Sequence, residues 1–195
     1  MITGKIDSSF QTEQRDLFAS GVVAEIGVNA YAVWSAIKFH ADYTTGESFP
    51  GMRRLGELVG LSKSAVDRAV DTLEKTHMLR VTKREKGRGQ IYIARERMAV
   101  RIGSRTICTI VMDYIPSKLR GQLIELEKAL ENPAKAPEAL ANVEIIPGEG
   151  FVWDEVKKSL SGRLKASELP KERKEEEASH YQQIGAAMLK RLVKK

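Results

Sequence analysis

The sequence predicts an α+β fold, and three features carry that expectation. Two short amphipathic segments, near 52–59 and 62–75, meet at a glycine-containing junction. A basic stretch with strand-like alternation, RVTKREKGRGQIYIA, follows them almost at once. Farther on, the apolar run RTICTIVMDYIP reads as another strand, stopped by Pro116. Helical periodicity giving way to twofold alternation is the signature of helices packed beside a small antiparallel sheet.

Length and composition set the bounds. With 195 residues and 42% hydrophobic content, the chain can build one good domain with extensions, or two small ones. No run of about 18 apolar residues occurs, so no membrane span is expected. The first residues, MITGKIDSSFQTEQRD, are polar and lack the apolar stretch of a signal peptide. Cys108 is the single cysteine and has no internal disulfide partner. These features together predict a cytoplasmic protein.

Residues 1–21 read as an adaptable N-terminal arm. Asn29 can cap a helix whose apolar positions Ala30, Val33, Trp34, Ile37 and Ala41 share one face. Tyr43-Thr44-Thr45-Gly46 ends it as a turn. Phe49-Pro50-Gly51 then introduces a helix over 52–59, with Leu55, Leu58 and Val59 expected inward. Gly60 suits the left-handed position that ends a helix, Leu61 can plug the corner, and Ser62 is a good N-cap for the next helix. In that helix, which runs to about Lys75, Val66, Ala69, Val70 and Leu73 make the buried stripe.

A hairpin follows, with Val81, Ile91 and Ile93 at alternating positions and Lys86-Gly87-Arg88-Gly89-Gln90 as the turn. Two short helices, a glycine turn and a basic hairpin describe a winged helix-turn-helix domain, assigned to residues 22–105. Residues 106–150 form a strand-helix-strand extension, a candidate homodimer seam. Within it, Leu119, Leu123, Leu126 and Leu130 define a helix over 118–131, and VEIIPGEG reads as a short strand and turn. Residues 132–137 are a Pro/Ala linker. Residues 151–195 are expected to form a charged helical or disordered C-terminal tail, with Ile184, Met188 and Leu192 as a thin apolar stripe.

The charge is unevenly placed. Residues 50–105 carry 14 Lys/Arg against 6 Asp/Glu, whereas the other two segments are slightly acidic or near balance. A localised excess of that kind attracts a polyanion such as nucleic acid. Catalytic constellations are scarce: His40, His77 and His180 lie far apart, and no histidine has metal-ligand spacing with Cys108. Gly51 to Gly56 has the glycine spacing of a phosphate loop, but Glu57-Leu58 stands where Lys-Ser/Thr is needed. The sequence therefore predicts no catalytic residues, no metal, no cofactor and no enzymatic activity.

A recognition helix enters the major groove, with its N-terminal residues at base edges and its cap near phosphate. Here the base-reading candidates are Lys63, Ser64, Asp67 and Arg68. Arg68 could grip guanine bidentately, and Lys63 could reach guanine or phosphate. Asp67 could accept from cytosine or pair with Lys63 at i+4. Backbone and wing candidates are Arg53, Arg54, Ser62, Lys83, Arg84, Lys86, Arg88 and Gln90.

On these residues the chain resembles a known family. FPGMRRLGELVGLSKSAVDRAVDTLEKTHMLRV is similar to the winged helices of bacterial regulators and of plasmid or phage replication proteins. The wider layout, from GVNAYAVWSAIKFHAD through the wing to VEIIPGEG, resembles the small Rep initiators of broad-host-range plasmids over roughly residues 22–150. That resemblance implies plasmid replication initiation: binding of repeated double-stranded DNA sites at an origin and recruitment of host replication proteins. Many such initiators contain two winged helices, whereas only one is evident here. The competing expectations are a winged-helix transcriptional repressor or autoregulator, and a structural adaptor whose basic face binds protein or RNA.

Overall fold

A computed structural model describes residues 11–83, 89–131, 143–154 and 159–162. The N-terminal half is helical: α1 (Asp16–Ala19), α2 (Val22–Ile26), α3 (Val28–Phe39), α4 (Met52–Val59) and α5 (Lys63–Lys75), interrupted by the short strand β1 (Glu47–Ser48). Antiparallel strands follow: β2 (Leu79–Lys83), β3 (Gln90–Ile102) and β4 (Arg105–Asp113). After α6 (Leu119–Glu131) come β5 (Glu144–Pro147), β6 (Phe151–Asp154) and β7 (Ser159–Gly162). The α+β class holds.

Strand β3 organises the sheet. Its first half pairs with β2, from Leu79↔Ala94 to Lys83↔Gln90, and with β1. Its second half pairs with β4, from Arg95↔Asp113 to Ile102↔Arg105, with a bulge between Val100 and Arg101. Strand β5 adds to the far side of β4, and β6 with β7 forms a separate hairpin. The 105/106 boundary expected between domain and extension thus falls inside a continuous hairpin.

Burial of the stripes predicted for α3 and α5 builds the core. Val33, Trp34 and Ile37 pack with Leu55, Val66, Leu73 and Met78, all inaccessible to solvent. All four predicted residues of α5 are buried. Removing such side chains from water at about 25 cal/mol per Å² makes this stripe, rather than helix propensity, the stabilising feature of α5. A smaller cluster, Ile107, Cys108, Phe151 and Leu160, attaches the β6–β7 hairpin to β4. Strand structure therefore continues beyond residue 150, where a charged tail was expected.

Several local expectations change. Gly27, not Asn29, precedes α3, and Asn29 lies exposed in the first turn. Gly27 takes φ 81°, which lets the chain turn sharply out of α2 two residues earlier than a capping Asn29 would. Leu58 is exposed. The inward stripe of α4 is Met52, Leu55, Gly56 and Val59, and Leu58 lies roughly 110° round from its centre. Gly56 has a packing reason: a Cβ there would sit 2.4 Å from the Leu61 carbonyl oxygen.

The described part of the N-terminal arm is tied down. Gln11 donates to Ser35 Oγ at 2.6 Å, the Thr12 carbonyl accepts from Lys38 Nζ at 2.6 Å, and Tyr31 donates to Glu13. Asp16 accepts the Ala99 backbone N–H at 3.0 Å. Lys38 is itself buried, 2.6 Å from Glu96 Oε1 and over the rings of Trp34 and Tyr114. Burial pushes the Lys38 ammonium down and the Glu96 carboxyl up, while each partner's charge opposes the other's shift. The 132–137 linker and residues 163–195, with His180 and the Ile184, Met188 and Leu192 stripe, lie outside the described residues.

Candidate nucleic-acid interface

The α4–α5 corner follows from its residues. Gly60 closes α4 at φ 71°, and the Leu61 N–H reaches back to the Gly56 carbonyl at 2.9 Å. Ser62 then caps α5, its Oγ accepting from the Ala65 N–H at 3.3 Å and lying 3.2 Å from Ser64 Oγ. With Val66, Ala69, Val70 and Leu73 committed to the core, Lys63, Ser64 and Arg68 face solvent and Asp67 is half-buried. Among the described residues Asp67 forms no ion pair with Lys63, so the alternative of a pre-paired lysine is not realised.

Arg53 and Arg54 project from α4, 92% and 58% exposed, and both approach Glu57, at 3.5 and 3.7 Å. Pairs this exposed are worth little and are readily exchanged for another anion. His40, at the end of α3, is held below its usual pKa by burial and by the charge of Arg54. At the loop end of the β2–β3 hairpin Lys83 pairs in register with Gln90, and both residues are exposed. Arg84, Lys86 and Arg88 lie outside the described residues.

Tertiary structure sorts the remaining arginines of the basic segment. Arg80 and Arg95 meet Asp113, and Arg95 also reaches Glu144 at 2.8 Å. Arg97 binds Glu25 at 3.1 Å and the Thr76 carbonyl at 3.0 Å, and Arg101 approaches Asp16 at 3.5 Å. Arg105 donates to the Glu149 carbonyl and stacks over Phe151. Four acids from outside residues 50–105 thus neutralise arginines along β2 and β3. Among the described residues, Lys63, Arg68, Lys75 and Lys83 form no ion pair, and all four are exposed. Within residues 50–105, the described cations not paired with a distant acid therefore lie on α4, α5 and the loop end of the hairpin.

Tyr92 joins these parts, although its role was not apparent from the sequence. The alternation of Ile91 and Ile93 assigns it to the outer face, yet Tyr92 is 2% exposed because both faces of β3 are covered there. Its hydroxyl donates to Gln90 Oε1 at 2.7 Å and lies 3.7 Å from Met52 Sδ of α4. Burial raises the phenol pKa, with added contributions from the charges of Asp67 and Glu74 on α5. His77 is a second such residue: at φ 59° it turns the chain out of α5, and its Nδ1 lies 2.8 Å from Glu144.

Elsewhere the chemistry is quiet. Burial raises the Cys108 thiol to about 11, which keeps it protonated near neutrality. Among the described residues, no group of three His, Cys, Asp or Glu side chains could hold a metal ion, and no helix is long and apolar enough to cross a membrane. Comparison with protein-family models, curated proteins and solved structures finds no match to this chain.

Proposed function

We propose that this chain binds double-stranded DNA in a sequence-specific manner, with α3–α5 and the β2–β3 hairpin acting as a winged helix-turn-helix. The observation that carries the reading is the sorting of charge: acids neutralise the arginines along the sheet, while cations on α4, α5 and the hairpin end stay available. In this docking, α5 lies in the major groove. Arg68 grips guanine, and Lys63, Ser64 and Asp67 contact neighbouring base edges or phosphate. Arg53, Arg54, Ser62 and Lys83 hold the backbone and set the register. The protein needs no catalytic group, metal or cofactor for this task.

On its resemblance to small Rep proteins, the biological role we propose is initiation of plasmid replication, in which bound copies at origin repeats recruit host replication machinery. Two measurements test the reading. Arg68→Ala is expected to cost about 1–3 kcal/mol on the preferred duplex and to relax base preference at one position. An Arg68→Ala protein that selects the same sites with wild-type affinity would remove α5 from the groove. The gene supplied in trans should maintain a plasmid carrying its origin. Failure to do so, with binding to a single palindrome upstream of the gene, would instead indicate a repressor.

A further inference from the structure

The side chain of Gln90 is oriented from within the protein. Gln90 and Tyr92 are two residues apart on β3 and so share one face of the strand, the face that meets Met52 of α4. The Tyr92 ring is locked by burial, and Ser48 Oγ donates to the Tyr92 carbonyl at 3.3 Å from the neighbouring strand. The phenol has one proton, and its closest acceptor is Gln90 Oε1 at 2.7 Å; the Met52 sulfur, at 3.7 Å, is much the weaker one. The carbonyl end of Gln90 is therefore turned inward against a buried hydroxyl. Its amide nitrogen makes no hydrogen bond among the described residues, and the residue as a whole is exposed. Lys83 stands directly opposite in register, so the hairpin end offers an ammonium and an amide N–H₂ side by side.

From this geometry we propose that Gln90 is a donor-only contact to DNA phosphate, and that Tyr92 is the positioning residue that makes it so. A bidentate grip on adenine needs the amide's oxygen and nitrogen presented together to the base edge. With the oxygen held inward, the nitrogen leads and suits an acceptor-only partner, which is what a phosphate oxygen is. The inference rests on the duplex-binding reading above; it narrows the backbone or wing contact expected of Gln90 to a donor-only one and gives a buried tyrosine a function.

The test uses the full chain with a pool of random-sequence duplexes and the one duplex that wild type enriches from it. Gln90→Ala is expected to weaken both probes alike, by roughly fivefold for one hydrogen bond, and to leave the enriched sequence unchanged. Gln90→Glu keeps an oxygen for the Tyr92 hydroxyl but places negative charge outward, so it should bind both probes more weakly still while unfolding at the wild-type midpoint. Tyr92→Phe should weaken binding in the wild-type background and have no further effect when combined with Gln90→Ala. A Gln90→Ala loss confined to the enriched duplex would make Gln90 a base reader and overturn the proposal. An equal Tyr92→Phe loss in both backgrounds would overturn the positioning role. Wild type that binds no duplex would refute the duplex-binding reading itself. Wild type that binds normally beside unaffected Gln90 variants would refute this contact alone.

Discussion

Charge placement, as distinct from net charge, can be tested with two variants that change the total equally. Lys83→Ala and Arg101→Ala each lower the formal charge of +6 by one. Lys83 is exposed at the hairpin end and unpaired among the described residues, whereas Arg101 lies toward the far end of β3, beside Asp16. Successive strand residues advance about 3.3 Å, so the Lys83/Gln90 end and Arg101 are roughly 35 Å apart along β3, several Debye lengths at 0.1 M salt. Each phosphate neutralised contributes about −0.9 to the slope of log K against log salt. Contacts by Arg53, Arg54, Lys63 and Lys83 would thus weaken duplex binding roughly a hundredfold between 50 and 200 mM salt. Lys83→Ala should make the slope shallower by about 0.9, and Arg101→Ala should leave it unchanged within about 0.3. Fluorescence anisotropy on one duplex across a salt series reads both. Equal changes in slope would mean that total charge governs binding, and the proposed docking face would be refuted.

Other predictions concern the frame that holds this face. Lys38→Met strands the buried Glu96 carboxylate and should cost about 3–5 kcal/mol in urea unfolding, whereas Lys38→Met combined with Glu96→Leu should recover most of that loss; additive costs would deny the coupling. Gly56→Ala drives a methyl group against the Leu61 carbonyl and should cost about 1–3 kcal/mol while weakening duplex binding, because α4 and α5 cannot keep their spacing. Asp42, which accepts from the Thr44 hydroxyl and from the Thr45 and Thr44 N–H groups, has its pKa lowered from 3.8 to about 2. A lowered carboxyl pKa stabilises the fold above the unfolded value and loses that effect as pH falls through the folded one. Asp42→Asn should accordingly unfold at lower urea than wild type at pH 7, with the gap closing as pH drops from about 3.8 toward about 2; a gap independent of pH would assign the effect to shape rather than charge.

The sequence by itself determined the local pieces. Gly60, Ser62 and the Val66-Ala69-Val70-Leu73 stripe specify the α4–α5 corner through neighbours a few residues away, and the structure forms that corner at the predicted residues. The apolar run of β4 and the leucine spacing of α6 were legible for the same reason. Long-range pairing decided the rest. Nothing near Arg95, Arg97 or Arg101 in the chain announces that Glu144, Glu25 and Asp16 will neutralise them. The basic segment therefore read as uniformly available, and only the fold divides it into a spent sheet and a free face. Tyr92 followed the same logic: alternation placed it outside, but α4 covers that side of β3. The N-terminal residues looked adaptable because their partners, Ser35, Lys38 and Ala99, are distant in sequence. Periodicity reports which face of an element is apolar, whereas which charges remain for a partner depends on which distant acids the tertiary fold brings beside them.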